Sequence, residues 1–307
     1  MTRRQQRTGP AKVGLALLVL IAAACGTASR AGRQSEARDR AVVVASFNFT
    51  ESELLADIYA GALERAGIPV RRELDLGPRE LVDPALAQGL VDVVPEYLGT
   101  ALRFAAPAAH VDANDPVAVR AALSRAIARW HVSVLQPAAA QDQNGVALTR
   151  TRADALRVRS VSDLRRHRDL VLGGPPECPT RDFCLVGLRR VYGLHFRRFI
   201  PLDNQEQEQI ALEQGVIDVA VMFNTDAHVA DPSLVLLDDD RHLQPAENVV
   251  PVVSTRALRD NGTIVTSVLD RVSAQLTSQA LTFLNWRVDV AGKVVADEAA
   301  GWLARHP

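Results

Sequence analysis

Short apolar runs alternate with amphipathic stretches along most of this 307-residue chain. The first run, 41–47, is typical of a buried strand, and 51–66 then places Leu54 and Ile58 on one apolar side of a helix. A second set of such units begins near Asn144. Strands separated by helices of this length predict α/β units built around parallel sheets.

The pattern predicts the remaining elements as follows. Strands are expected at 70–76, 91–95, 132–136, 146–149, 170–172, 217–223, 235–237 and 249–254. Helices are expected at 78–88, 116–130, 162–168, 183–192, 205–214, 263–275, 278–288 and 292–305.

The first 24 residues have the character of an export signal. Four basic residues and no acidic residue precede or flank the apolar run 13–24, which is too short to span a bilayer comfortably. Small residues then lead to Cys25, which is the pattern of a bacterial lipoprotein cleavage site. A plain secretory signal that happens to contain this cysteine is the alternative. Residues 25–40 are polar and aperiodic, so they are expected to form a tether.

Two cysteines remain if Cys25 carries lipid, namely Cys178 and Cys184. An even number of cysteines in an exported chain favours a disulfide. Zinc binding is the competing interpretation, but no second pair of cysteines or histidines stands at ligand spacing.

Charge and motifs exclude several other classes of function. The net charge is −1, and removal of residues 1–24 makes the chain more acidic, so no nucleic-acid partner is expected. We find no nucleophile elbow, no P-loop and no dinucleotide fingerprint, and the histidines are scattered. The sequence therefore predicts neither an enzyme nor a metal or cofactor site.

Two short polar runs follow predicted strands, where ligands sit in open α/β sheets. They are Asn-Phe-Thr-Glu-Ser at 48–52 and Pro-Glu-Tyr-Leu-Gly-Thr at 95–100. In this order and spacing they resemble the ProX-like substrate-binding proteins of osmoprotectant ABC importers, which capture glycine betaine, choline or carnitine. Further runs contribute to the resemblance, at 160–164, 174–177, 187–194, 214–219, 224–226, 237–240 and 248–253.

The resemblance implies an α/β two-lobe periplasmic-binding-protein fold of type II, with the ligand in the interlobe cleft. Residues 41–141 with 250–307 would form lobe 1, and 142–249 would form lobe 2. The implied protein is an extracytoplasmic monomer, anchored to the membrane through Cys25. It would deliver a small molecule to an ABC permease and its ATPase, or act as a ligand sensor.

The resemblance also implies which side chains contact the ligand. Tyr97 keeps a tyrosine of the family's ammonium cage, Thr100 keeps a hydroxyl near the ligand carboxylate, and Arg181 stands where a carboxylate-binding arginine is expected. Phe223 is a second retained aromatic and Phe47 a possible third.

Two expected cage tyrosines are replaced by Gly145 and Ala246. The vacated space, lined by Asn48, Gln143 and Asn144, suggests an alternative ligand that is larger and hydroxylated or aromatic, such as a polyphenol.

The lipid anchor is directly testable. We expect Cys25→Ala to abolish incorporation of labelled fatty acid and to release or mis-process the protein, because the Cys25 sulfur is the atom that would carry the diacylglyceryl group. Labelling and membrane fractionation measure both effects, with Thr27→Ala as the control. Unchanged labelling and membrane retention of Cys25→Ala would contradict the prediction.

Overall fold

The computed structural model describes residues 41–306. The predicted signal, the tether and Cys25 lie outside these residues. Within them, no helix combines the length and apolarity that are needed to cross a bilayer.

The described chain builds two five-stranded sheets. The first contains β1 (Val42–Ala45), β2 (Val70–Glu73), β3 (Val93–Tyr97), β4 (Val132–Val134) and β10 (Val249–Ser254), in the order β2-β1-β3-β10-β4. The second contains β5 (Asn144–Thr149), β6 (Val171–Gly174), β7 (Arg198–Pro201), β8 (Val219–Phe223) and β9 (Leu234–Leu236), in the order β7-β6-β8-β5-β9. We call the first sheet with its helices the first lobe, and the second sheet with its helices the second lobe.

Helices connect and cover the strands. In the first half they are α1 (Thr50–Arg65), α2 (Arg79–Ala87), α3 (Leu98–Ala105) and α4 (Pro116–Ile127). Around the second sheet they are α5 (Arg150–Leu156), α6 (Leu185–Tyr192) and α7 (Gln205–Glu213), and the chain closes with α8 (Thr255–Asn261), α9 (Thr263–Ser273), α10 (Ser278–Asp289) and α11 (Val295–Arg305). Short 3-10 helices occupy Ala128–Trp130, Val161–Arg166, Cys178–Thr180 and Ala227–Ala230.

Each sheet is mixed, not parallel as the alternation of elements predicted. In the first sheet β10 runs antiparallel to both β3 and β4. In the second, β5 runs antiparallel to both β8 and β9. Both strands connect the two halves of the chain, so their direction is set by the crossing between lobes and not by a local βα unit.

The first lobe is organised around α1. Leu54, Leu55, Ile58 and Leu63 are fully buried, because the helix packs on β1 and β3 on one side and on α9, α10 and α11 on the other. The approach of α11 is close: a Cβ placed at Gly61 would stand 2.7 Å from Leu303 Cδ1. The closing helices therefore belong to the core of the first lobe.

The predicted disulfide between Cys178 and Cys184 is confirmed. Their Cα atoms lie 5.2 Å apart, and both side chains are buried in the core of the second lobe. The bridge closes the loop between β6 and α6, which carries Arg181 and Asp182.

We expect a Cys178→Ala/Cys184→Ala double variant to lose about 2 kcal/mol of unfolding free energy, because the small closed loop no longer restricts the unfolded chain. Denaturant titration measures the loss, and the wild-type protein under strong reductant is the control that should approach the variant. Equal stability of oxidised and reduced wild-type protein would contradict this expectation.

Candidate functional site

A cleft of about 750 Å³ lies between the two lobes. The segments that follow β1, β3, β6 and β8 line it, as expected for ligand sites beyond the carboxyl ends of strands. Three further parts of the chain complete its wall. They are the segment at Asp142, where the chain passes from the first lobe to the second, the segment at Glu247, where it returns, and helix α10.

Most side chains that the sequence predicted for the site do line this cleft. They are Phe47, Asn48, Tyr97, Thr100, Asn144, Arg181 and Phe223. Gln143 does not, because its amide nitrogen donates instead to the Pro245 carbonyl at 2.7 Å. The ligand-binding roles of these residues remain predictions.

An aromatic cluster stands on one side of the cleft, centred on a ring that the sequence analysis did not select. The ring centroid of Phe49 lies 6.1 Å from that of Phe47, 6.1 Å from that of Tyr97 and 5.2 Å from that of Phe223. Phe47 is the most enclosed of these, since the Arg79 guanidinium lies 4.9 Å from its ring centroid and Phe49 stacks against it. Phe49, Tyr97 and Phe223 therefore form the part of the cluster best placed to meet a ligand.

Buried carboxyl groups stand beside these rings. The Tyr97 hydroxyl donates to Glu51 Oε1 at 2.9 Å, and the Asn285 amide donates to Glu51 Oε2 at 2.9 Å. The same Asn285 amide also donates to the Thr225 carbonyl of the second lobe at 3.0 Å. Burial raises the pKa of Glu51, and burial together with the neighbouring Glu51 raises the pKa of Asp142 well above its usual value.

Glu247 fills a corner at the start of α3. The backbone N–H groups of Gly99 and Thr100 donate to Glu247 Oε2 at 3.1 and 3.2 Å, and the Thr100 hydroxyl donates to Oε1. The corner needs a glycine, because a Cβ at Gly99 would stand 2.2 Å from Pro245 Cγ. Thr100 thus binds a carboxylate of the protein, whereas the sequence analysis assigned its hydroxyl to a carboxylate of the ligand.

The arginines of the cleft all have acidic partners. Arg79 makes two hydrogen bonds to Glu96, at 3.1 and 2.8 Å. Arg181 pairs with Glu80 at 2.9 Å, and Arg103 pairs with Asp182 at 2.6 Å. The last two pairs join the first lobe to the disulfide loop of the second.

The cleft is strongly acidic overall. Among the described residues, twelve with carboxyl groups line it against three arginines and one histidine, His228, whose Nδ1 lies 2.9 Å from Asp226 Oδ1. A cavity with this lining favours a positively charged ligand.

The vacated space expected at two missing tyrosines is not part of the cleft. A Cβ at Gly145 would already stand 2.7 Å from Leu236 Cδ2, and Ala246 is buried in contact with the start of α3. Neither residue lines the cavity. Neighbouring residues of the protein occupy the space at both positions. The ring of Phe49, from a different segment of the chain, lines the cleft instead.

The residues of the wall that sequence reasoning missed include Phe49, Glu51, Asp142 and Glu247. Phe49 and Glu51 belong to the run 48–52 that pointed to the site, so the signal was available there. Asp142 and Glu247 lie in aperiodic crossing segments, and no local pattern distinguishes them from solvated acids.

The raised pKa of Glu247 predicts how the free energy of unfolding depends on pH. Burial raises this pKa from 4.5 to about 7, against the lowering effect of Thr100 and Arg79. A folded-state pKa above the unfolded value gives stability that is complete below pH 4.5 and is lost as pH rises through about 7. We expect wild-type protein to lose up to about 3 kcal/mol relative to Glu247→Gln between pH 5 and pH 8.

Denaturant titrations of both proteins across this range measure the difference. Glu213→Gln, an exposed change outside the cleft, is the control that should track the wild type. Parallel stability curves for wild-type protein and Glu247→Gln would contradict the expectation.

Comparison with known proteins extends these observations. An ergothioneine transport permease/ergothioneine binding protein of Helicobacter pylori is 22% identical over 99% of this chain, which spans only 54% of that relative. The glycine betaine-binding protein YehZ of Escherichia coli is 28% identical, over 82% of this chain and 88% of its own. A crystal structure described as a glycine betaine/carnitine/choline ABC transporter superposes with a TM-score of 0.69, at 22% identity, over 86% of this chain and 98% of its own.

The likeness to that structure confirms the predicted two-lobe α/β fold. A family model described as the substrate binding domain of ABC-type glycine betaine transport system matches residues 40–305. The family is one of extracytoplasmic transport proteins that work with ABC permeases, not an enzyme family, and it does not favour the polyphenol alternative. The chain therefore belongs to the family of substrate-binding domains of ABC-type glycine betaine transport systems.

Proposed function

We propose that this chain captures a small quaternary ammonium compound of the glycine betaine and choline class between its lobes. It then delivers the unchanged molecule to an ABC permease driven by an ATPase. The protein acts outside the cytoplasmic membrane as a monomer, held there by lipid on Cys25.

The observation that carries this proposal is the meeting of aromatic rings and buried carboxyl groups in one cleft. Phe49, Tyr97 and Phe223 present ring surface, while Glu51 and Asp142 stand beside them. A quaternary ammonium ion is weakly hydrated, so it gains from ring faces without a large desolvation cost. A neutral sugar-like solute could donate hydrogen bonds to the carboxyl groups but would gain no charge attraction from them.

Binding by closure is consistent with the contacts across the cleft. The pairs Arg181–Glu80 and Arg103–Asp182 are partly exposed, with between 24% and 47% of each side chain accessible. Exposed pairs of this kind contribute only about 0–1 kcal/mol each. They can align the lobes while leaving the cleft free to open, and a buried ligand supplies the larger part of the closing free energy.

Ring variants test the proposal. We expect Phe49→Leu and Phe223→Leu each to weaken binding of choline or glycine betaine roughly 2- to 30-fold, because each change removes a ring face while keeping apolar volume. Titration calorimetry of the mature protein measures the affinities.

Phe283→Leu is the matched control, since Phe283 is 53% exposed on α10 and lies outside the cleft. Thermal melts check that each variant is folded. Unchanged affinity of both cleft variants would show that the ligand binds elsewhere in the protein. Chemical turnover of the bound compound would contradict a transport role without catalysis.

A further inference from the structure

The corner occupied by Glu247 bears on the charge of the ligand. Two backbone N–H groups and a hydroxyl converge there, which is an arrangement that suits a carboxylate. Glu247 is 3% exposed and supplies that carboxylate from within the chain. A ligand carboxylate would have to displace it.

We infer that the ligand is a net cation that bears a hydroxyl or similar hydrogen-bond donor and carries no carboxylate, and that Glu247 excludes zwitterionic betaines. The inference rests on the proposed function and specifies the ligand class of the same cleft. Choline represents the favoured class, and glycine betaine represents the excluded one.

The cations of the cleft wall support this assignment. Within the described chain, each arginine that lines the cleft is paired: Arg79 with Glu96, Arg103 with Asp182 and Arg181 with Glu80. A betaine carboxylate would need one of these arginines to leave its partner. For Arg79 that exchange would leave Glu96, which is 2% exposed, without its main counter-charge.

Buried hydrogen-bond acceptors in the cleft wall support the inference independently of Glu247 and the arginines. Asp142 Oδ1, Glu208 Oε2 and Asn285 Oδ1 have no hydrogen-bond partner among the described residues. The three residues line the cleft and are 6%, 2% and 3% exposed.

Buried acceptors without donors are costly, so a ligand that donates a hydrogen bond into the cleft gains by satisfying one. The choline hydroxyl is such a donor. Glycine betaine has no O–H or N–H group at neutral pH and would instead place a carboxylate among carboxyl groups.

Calorimetry of choline and glycine betaine against four full-length mature proteins tests the inference: wild type, Glu247→Gln, Glu247→Ala and Glu213→Gln. We expect the wild type to bind choline at least about tenfold more tightly than glycine betaine. At pH 8, where Glu247 is charged, Glu247→Gln keeps the shape and removes the charge, so choline binding should weaken about tenfold while glycine betaine binding does not weaken. Glu247→Ala frees the corner, so the affinity ratio should move toward glycine betaine.

Glu213→Gln removes the same charge from an exposed site outside the cleft and should leave both affinities as in the wild type. Equal or tighter binding of glycine betaine by the wild type would overturn the inference and leave the proposed function standing. An unchanged affinity ratio in both Glu247 variants would also overturn it. If neither choline nor glycine betaine binds the wild type at millimolar concentration, the proposed function is overturned and the inference with it.

Discussion

Burial of carboxyl groups is the constraint on which the cleft of this protein depends. Glu51, Glu96, Asp142 and Glu247 are each less than 10% exposed, and only Glu96 has an arginine that binds it with two hydrogen bonds. The others are held by neutral donors: Tyr97 and Asn285 on Glu51, and the start of α3 on Glu247. Neutral donors position a carboxyl group without pairing it with a fixed cation. Burial raises the pKa of Glu51, Asp142 and Glu247, and a cationic ligand beside them would favour their charged forms, whereas an arginine in the same place would pair with them permanently.

The fold brings these groups together because two sheets direct the ends of their strands into the same space. β1 and β3 deliver the aromatic and acidic residues of the first lobe, and β8 delivers Phe223. The crossing strands β5 and β10 then fix how the lobes approach, since Asp142 precedes one and Glu247 precedes the other. The antiparallel placement of these two strands is therefore part of how the site is built.

The sequence predicted the elements with strong local periodicity, and it predicted the cleft in outline. β1 follows from an unbroken apolar run and α1 from an amphipathic pattern, whereas α3 was not predicted, because the run at 95–100 was interpreted only as polar residues after a strand. Gln143 was assigned to the site, and Gly145 was expected to leave space beside it. Instead, Gln143 bonds to Pro245, and Leu236 lies against Gly145, both from distant parts of the chain. Such contacts depend on how the lobes and crossings pack, and no local pattern encodes them.

In the disulfide loop, the sequence predicted the location of Arg181 but not the carboxylate that it binds. Arg181 does face the cleft, as the sequence indicated, but it meets Glu80 of the opposite lobe. The adjacent Asp182 meets Arg103 with the charges reversed. This alternation makes the loop complementary to the first lobe at two points, so sliding it by one residue would set like charges against each other. The bridge between Cys178 and Cys184 restricts the conformation of the loop and so fixes where its two charged residues lie. The two ion pairs therefore contribute more to the specific orientation of the lobes than to the free energy of their association.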